Sequence, residues 1–471
     1  MTDLAVEKPI FGESYTPSQE ELFEFENTFN MADFFLNKGN NGALSVGVVG
    51  MGYVGMPLAE AFVHAGTPVV GFEVSESRAE DLNMGRSYLG HIDDERIQTM
   101  IASNIFSATT DMTRLSEADA ILICVPTPLD KYHSPDLSYV IKTCEAIVPH
   151  LRRGQLIVLE STTYPGTTQD VMRPILEQSG LKVGIDFALA YSPEREDPGN
   201  IDFATTTIPK LVGADSEDER SMSKFIYDQI VQTVMVDNTK TAEAAKLTEN
   251  IFRWVNIGLV NELKLIYEKM NIDVWDVISA ASSKPFGFMP FYPGPGVGGH
   301  CIRVDPFYLT WKAREHGMST RFIDLAGELN IHMPRHVISR LMEELSNRHK
   351  KPLKGSRILL SGVAYKKNID DLRESPSMEL WELLELNGAE VDYYDPHISK
   401  IPHSHDFPQF EGQKSIHWNV DNLSEYDAVI IATDHTSVDY QTMAEAIPLL
   451  IDTRNILNDL DESLRMKVAK A

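Results

Sequence analysis

Cysteine is scarce in this chain, and its scarcity removes several readings at once. The 471 residues carry three cysteines, Cys124, Cys144 and Cys301, an odd number without paired spacing. That argues against a disulfide framework and a structural zinc site, so no metal centre is expected, and a reducing cytoplasmic setting fits best. Basic residues are in deficit too: 42 Lys and Arg face 69 Asp and Glu, a formal net charge of −27. The overall field repels nucleic acid and anionic membrane surfaces, and neither is expected as a partner. No apolar run approaches the roughly 18–20 residues of a membrane span, and the acidic N-terminus has no basic stretch of the kind that opens a signal peptide. A phosphorylated small molecule is still compatible with this charge, because helix N-termini and a few local cations decide anion binding at short range.

What is present is the composition of an ordinary globular protein, 43% apolar and 24% charged residues, in a chain too long for one hydrophobic core. Short apolar runs separated by helix-length segments occur at Ser45–Val49, Val69–Phe72, Ala120–Val125, Leu156–Glu160 and Ala188–Tyr191. A second series follows at Arg357–Ser361, Glu390–Tyr394, Ala428–Ala432 and Leu449–Asp452. Between them the spacing is helical, notably Ala242–Met270 and Phe322–Leu345. The expected fold is α/β: two Rossmann-like doubly wound parallel-sheet domains, residues 42–237 and 346–471, joined by a central helical domain with a long helix, residues 238–345. Residues 1–41 form an N-terminal extension whose Phe-rich part, from Leu22 through Leu36, suits packing on the body or on a partner subunit.

The sequence Gly50-Met-Gly-Tyr-Val-Gly55 follows the first apolar run and opens a helical stretch. In that setting Gly50 permits the tight turn, Gly52 lets backbone approach a pyrophosphate, and Gly55 lets helix and strand pack closely. Tyr53 and Val54 complete the loop. Glu73 closes the next strand, where a carboxylate accepts from an adenosine ribose and repels a 2′-phosphate, so NAD is expected over NADP. Arg78 either softens that preference or simply opens the next helix.

The second chemical signal is Pro293-Gly-Pro-Gly-Val-Gly-Gly-His-Cys-Ile-Arg-Val-Asp305. A thiol holds an oxidised carbonyl as a thioester while a nicotinamide collects hydrides, so Cys301 beside a dinucleotide fingerprint suggests covalent redox chemistry. Gly298 and Gly299 would bring backbone close to a substrate, His300 or a nearby lysine would favour the thiolate, and Asp305 would orient a water or a sugar hydroxyl. Lys246 and Asn250 lie four apart, on one face of a helix, where an ammonium steadies a developing oxyanion and an amide fixes its orientation. Taken alone, such a pair is more often a solvated helix face.

With these motifs in this order, and with Tyr191-Ser-Pro-Glu-Arg-Glu-Asp-Pro-Gly199, Phe307-Tyr-Leu-Thr-Trp-Lys-Ala-Arg-Glu315 and Tyr365-Lys-Lys-Asn-Ile-Asp-Asp-Leu-Arg-Glu-Ser-Pro376, the chain from about Val46 to Asn455 resembles the UDP-glucose/GDP-mannose dehydrogenase family. The cysteine loop is most similar to that of bacterial UDP-N-acetylglucosamine 6-dehydrogenases. Arg303 departs from that subgroup, which most often has proline there. The resemblance implies a four-electron oxidation of a UDP-sugar C6 alcohol to a carboxylate with two NAD+ in turn. UDP-N-acetylglucosamine is favoured, with UDP-glucose and UDP-N-acetylgalactosamine open. Cys301 would carry the thiohemiacetal and thioester, Lys246 would stabilise the oxyanion, and Asn250 and Asp305 would hold sugar and water. Glu194 would assist hydrolysis, with Arg195 beside it at the substrate, and Thr162 would position water and touch the nicotinamide. Pro126 and Thr127 would line the cofactor pocket. Arg373 would reach the cofactor from the C-terminal domain, Lys366 would meet the UDP-sugar, and Tyr292 and Gly298 would border it. A homodimer or dimer of dimers is also implied. The rival readings are a two-electron β-hydroxyacid dehydrogenase, which needs no thiol, and a non-catalytic nucleotide-sugar binding protein.

Overall fold

Runs of Val, Ile and Leu no longer than five residues become the interiors of two sheets. The computed structural model describes residues 29–89, 92–130, 132, 134–195, 206–404 and 406–471, with the side chains of His300 and Cys301 also outside the described set. Strands β1 (Val46–Val49), β2 (Val69–Phe72), β3 (Phe106–Thr109), β4 (Ala120–Ile123), β5 (Leu156–Leu159), β6 (Ala188–Tyr191), β7 (Lys210–Ala214) and β8 (Thr233–Val236) form one sheet in the order β3-β2-β1-β4-β5-β6-β7-β8. The central strands are buried along their whole length, as strands covered by helices on both faces must be. Val46 pairs with Val69 on one side and Ala120 on the other. The C-terminal end of β1 therefore opens where strand order reverses, the crevice in which such sheets hold ligands. All neighbours are parallel except β6 and β7, which pair antiparallel.

The second sheet, β9 (Arg357–Ser361), β10 (Glu390–Tyr394), β11 (Ala428–Ile431), β12 (Leu450–Asp452) and β13 (Val468–Lys470), is parallel throughout in the order β10-β9-β11-β12-β13. Between the sheets runs the helix Thr239–Lys269, 31 residues long, which spans about 46 Å at the usual rise per residue. Asn238 caps it by accepting from the Thr241 N–H at 2.7 Å. The helix Arg321–Glu344 lies against it so closely that a Cβ on Gly258 would fall 2.9 Å from that of Ala326. Asn261 donates to Asn330 at 2.9 Å, and Asn330 donates to the Trp254 carbonyl at 3.2 Å. A buried polar chain of this kind holds two helices in one register, because sliding would strand its members.

The N-terminal extension contributes the helix Met31–Asn40, whose Met31, Ala32 and Phe35 are buried in the core of the first sheet. Arg153 lies over the Phe29 ring at 4.5 Å, so residues 29–40 pack on the body. The remainder of the Phe-rich stretch, 22–28, lies outside the described residues. Among the described residues no helix is long and apolar enough to cross a membrane, and no group of three or more His, Cys, Asp or Glu side chains is placed to hold a metal ion.

Candidate active site

The glycine loop sits at the end of β1, and each of its three glycines is constrained differently. Gly50 has φ 96°, and a Cβ there would fall 2.6 Å from the Cys124 carbonyl oxygen. A Cβ on Gly55 would fall 1.9 Å from the Gly50 carbonyl oxygen, whereas one on Gly52 would meet nothing within 4 Å. Two glycines close the turn and the third leaves an open backbone face at the N-terminus of the helix Gly55–His64. That pattern fits a dinucleotide's pyrophosphate. Glu73, just past β2, accepts from its neighbour Val74 N–H at 2.9 Å. The Tyr88 hydroxyl lies 2.5 Å from the Met51 carbonyl and 3.2 Å from Glu73 Oε2, one proton between two acceptors. Burial first, and the Glu73 charge second, raise the pKa of that phenol. Arg78 is in the first turn of the helix Glu76–Asn83, with its guanidinium 5.0 Å from the Tyr88 ring centre. Val54 is the N-cap residue of the glycine-loop helix. Thr127 is buried beside exposed Pro126, and its carbonyl accepts from the Tyr308 hydroxyl at 2.8 Å.

The structure brings Lys246, Asn250 and Asp305 together in the interior. All three are buried. Asn250 Nδ2 donates to Asp305, Lys246 Nζ donates to the Glu194 carbonyl, and Arg253 donates to the Asn250 side-chain oxygen. Burial pushes the Asp305 carboxyl up to about 6, against the opposing pull of Lys246 and of the Asn250 hydrogen bond. Asp305 lies one turn along the helix His300–Glu315 from Cys301, whose side chain is outside the described residues. The Glu194 side chain is half-buried, and Arg195 is engaged by Glu249 at 2.7 Å and the Pro209 carbonyl at 2.8 Å. Thr162 is half-buried, while its neighbour Thr163 is fully buried with a hydroxyl that has no hydrogen-bond partner among the described residues. An orphaned buried hydroxyl at such a site is a natural place for a water or a ligand oxygen. The other thiols are unsuited to nucleophilic chemistry: burial raises Cys124 well above its ordinary value and Cys144 up to about 12. Cys124 sits one residue past β4 rather than within it.

The loop after β9 meets the glycine loop and the turn that precedes the Cys301 helix. The Arg373 guanidinium lies 4.4 Å from the Tyr53 ring centre, so it reaches the glycine loop, and it also pairs with Asp371 at 2.6 Å. Lys366 is half-buried in the same loop. Gly298 and Gly299 permit a close approach of Tyr365: Cβ atoms on the two glycines would fall 2.7 Å and 2.8 Å from it. Tyr292 is half-exposed and stacks on Trp275, ring centres 5.5 Å apart.

Sequence reasoning passed over Arg253, Tyr88 and Glu243. Arg253 was legible, since 246, 250 and 253 share one helical face. Glu243 accepts from Gly166 N–H at 2.5 Å, Thr168 N–H at 2.9 Å and the Thr168 hydroxyl at 2.7 Å, tying the Thr162–Thr163 loop to the long helix. Tyr88 stands alone in a polar stretch without a periodic signal.

Models of three domains match the chain: the NAD binding domain of the UDP-glucose/GDP-mannose dehydrogenase family over residues 44–231, the family's central domain over 240–332 and its UDP binding domain over 359–459. The chain is 36% identical over 421 residues to a UDP-N-acetyl-D-glucosamine 6-dehydrogenase from Pseudomonas aeruginosa, covering 88% of this chain and 96% of that one. It is 33% identical over 425 residues to a UDP-N-acetyl-D-mannosamine dehydrogenase from Methanococcus vannielii, covering 87% and 92%. A solved structure of a UDP-D-ManNAc dehydrogenase from Pyrococcus horikoshii superposes with a TM-score of 0.80 at 30% identity, covering 91% and 99%. With the open glycine loop, the acid at the end of β2 and a second sheet facing them, these likenesses establish that the chain belongs to the UDP-glucose/GDP-mannose dehydrogenase family, NAD-binding oxidoreductases of nucleotide sugars.

Proposed function

We propose that the protein oxidises the C6 hydroxymethyl group of a UDP-N-acetylhexosamine, with UDP-N-acetylglucosamine favoured, to the uronate in a four-electron reaction. The observation that carries this reading is the buried convergence of Lys246, Asn250 and Asp305 one helical turn from Cys301. NAD, when bound, accepts a hydride at each of two oxidations. The chain's own residues do the rest. Lys246 steadies the C6 oxygen as its proton passes to the water held by Asp305, and again in the tetrahedral adduct. The Cys301 thiolate adds to the aldehyde carbon, giving a thiohemiacetal whose oxidation leaves a thioester. Water, held by Asp305 and Asn250 with Thr162 and Thr163 adjacent, adds to the thioester carbon with Glu194 taking its proton. The C–S bond then breaks, returning the thiol and releasing the carboxylate. Residues 42–237 supply the cofactor crevice, 346–471 the UDP site, and 238–345 the lysine, the thiol and a dimerisation face.

The relatives are named for N-acetylglucosamine and N-acetylmannosamine, so the substrate is decided by assay. NADH formed per sugar consumed is measured with each UDP-N-acetylhexosamine and with UDP-glucose offered separately. Two NADH per N-acetylglucosamine, abolished by Cys301→Ala, is the expected result. One NADH with no thiol requirement overturns the mechanism; turnover of another sugar alone overturns the substrate.

A further inference from the structure

We propose that Arg303 is a positioning residue, an electrostatic latch that holds the first turn of the Cys301 helix against the UDP-binding domain through Glu374 and Glu379. Arg303 Nε lies 3.1 Å from Glu374 Oε2, and its terminal nitrogen lies 3.8 Å from Glu379 Oε2. The three side chains are 27%, 32% and 20% exposed, so the pairs are shielded from solvent without being sealed from it. Glu379 stands in the first turn of the helix Pro376–Leu386, which Ser375 caps. Glu374 has φ 54°, a left-handed conformation costly for a residue with a side chain and retained where the surroundings hold it.

The backbone makes the same seam. Gly299 N–H donates to the Arg373 carbonyl at 3.2 Å. A Cβ on Gly298 would fall 2.9 Å from the Glu374 carbonyl oxygen and 2.9 Å from Pro376 Cδ. The latch carboxylate at 374 therefore adjoins Arg373, which reaches the glycine loop at Tyr53. Arg303 lies two residues past Cys301, in the turn whose placement fixes where the sulfur attacks. Both contacts are ion pairs, so the hold is one of charge shared between two carboxylates on the UDP-binding domain, and an ammonium at the same place keeps part of it.

This inference rests on Cys301 as the nucleophile. Its consequence is coupling: docking of the UDP-binding domain, favoured by UDP, sets the thiol. Full-length Arg303→Ala, Arg303→Lys and Glu374→Gln are compared with the parent in kcat, KM for the UDP-sugar and for NAD, and the rate of Cys301 alkylation by iodoacetamide with and without UDP. Cys144 is buried and Cys124 half-buried, so the alkylation of Cys301→Ala is subtracted as the background of that last measurement. Arg303→Ala is expected to lower kcat about tenfold or more, the scale of a small misplacement of a reacting group. KM for NAD should change less than twofold, and UDP should no longer alter the alkylation rate. Arg303→Lys should recover part of both. Unchanged kcat together with an unchanged UDP effect on alkylation overturns the latch. If Arg303→Ala does not fold, Glu374→Gln decides by the same readouts. Failure of the underlying reading is separate: Cys301→Ala would then retain full turnover, whereas failure of the latch alone leaves Cys301→Ala inactive and Arg303→Ala normal.

Discussion

Asp305→Asn is the substitution from which the pH dependence of the site is read most directly. The carboxyl is 2% exposed, and burial pushes its pKa from the ordinary 3.8 to about 6, with Lys246 and Asn250 pulling the other way. At about 1.36 kcal/mol per unit, that displacement is about 3 kcal/mol of preference for the neutral form. Only the ionised form balances the Lys246 charge while accepting from Asn250, so kcat/KM should fall as pH drops through about 6. Asparagine keeps an acceptor for Asn250 but carries no charge, and it leaves a buried ammonium without its anionic neighbour. Breaking a contacting buried ion pair from one side costs on the order of 3–5 kcal/mol, an upper bound here because Lys246 and Asp305 attract one another without touching. Lys246 retains the Glu194 carbonyl as an acceptor, so the expected loss of transition-state stabilisation is smaller, about 2–4 kcal/mol, or about 30- to 900-fold in kcat/KM. The assay is initial NADH formation at subsaturating UDP-sugar from about pH 5 to 8.5, with thermal unfolding recorded at each pH to confirm an intact fold. The parent should show an acid limb centred near 6, and the residual activity of the asparagine variant should lack it. A limb that keeps its midpoint in the variant, or a parent profile flat through 6, refutes the assignment.

Two further outcomes follow from residues that no motif pointed to. Tyr88→Phe removes the hydroxyl shared between the Met51 carbonyl and Glu73; loss of a hydrogen bond of about 1 kcal/mol should raise KM for NAD about fivefold and leave KM for the UDP-sugar unmoved, and an unchanged NAD dependence would show that Glu73 needs no support. Glu243 is raised to about 7, burial outweighing its hydrogen bonds from Gly166 and Thr168. The folded state therefore binds more protons than the unfolded chain between about pH 4.5 and 7, and this contribution to stability is lost as pH rises through that window. The parent's unfolding free energy should thus fall relative to that of Glu243→Gln over the same range, and a pH-independent difference would remove Glu243 as the cause.

Much of the architecture was legible because parallel strands buried on both faces leave unbroken apolar runs, and most strands at the centres of both sheets carry one. The strands without a clear signal each have a physical reason. β3 and β8 are the sheet's edges: in β3 buried Phe106 and Ala108 alternate with part-exposed Ser107 and Thr109, and β8 offers only the part-exposed three-residue run Val234-Met235-Val236. β7 contains Lys210, which reads as a surface residue, yet its ammonium is buried 2.6 Å from Glu160, whose other oxygen accepts from Tyr227. Burial of a charge is a property of its partner, and that partner lies 50 residues away. β13 is three residues at the C-terminus, too short for any period to show.

The site was legible to the same degree and for the same reason. Residues that act through a local backbone shape, such as Gly50 and Gly55 at the turn or Lys246 and Asn250 on one helical face, have a spacing that announces them. Residues that act by meeting another part of the chain do not. Gly298 and Gly299 advertise a close approach, but their spacing does not say that Tyr365, more than 60 residues on, is among the groups packed against them. Arg303 advertised only a departure from its relatives until Glu374 and Glu379 stood opposite it. Such contacts concentrate at the junction of the helical layer and the second sheet, where the thiol helix, the glycine loop and Arg373 converge. The proposed four-electron oxidation through a covalent intermediate would have to keep one sugar carbon in place across both hydride transfers. Contacts at this junction would supply that hold, and chain segments distant in sequence are the ones able to build it.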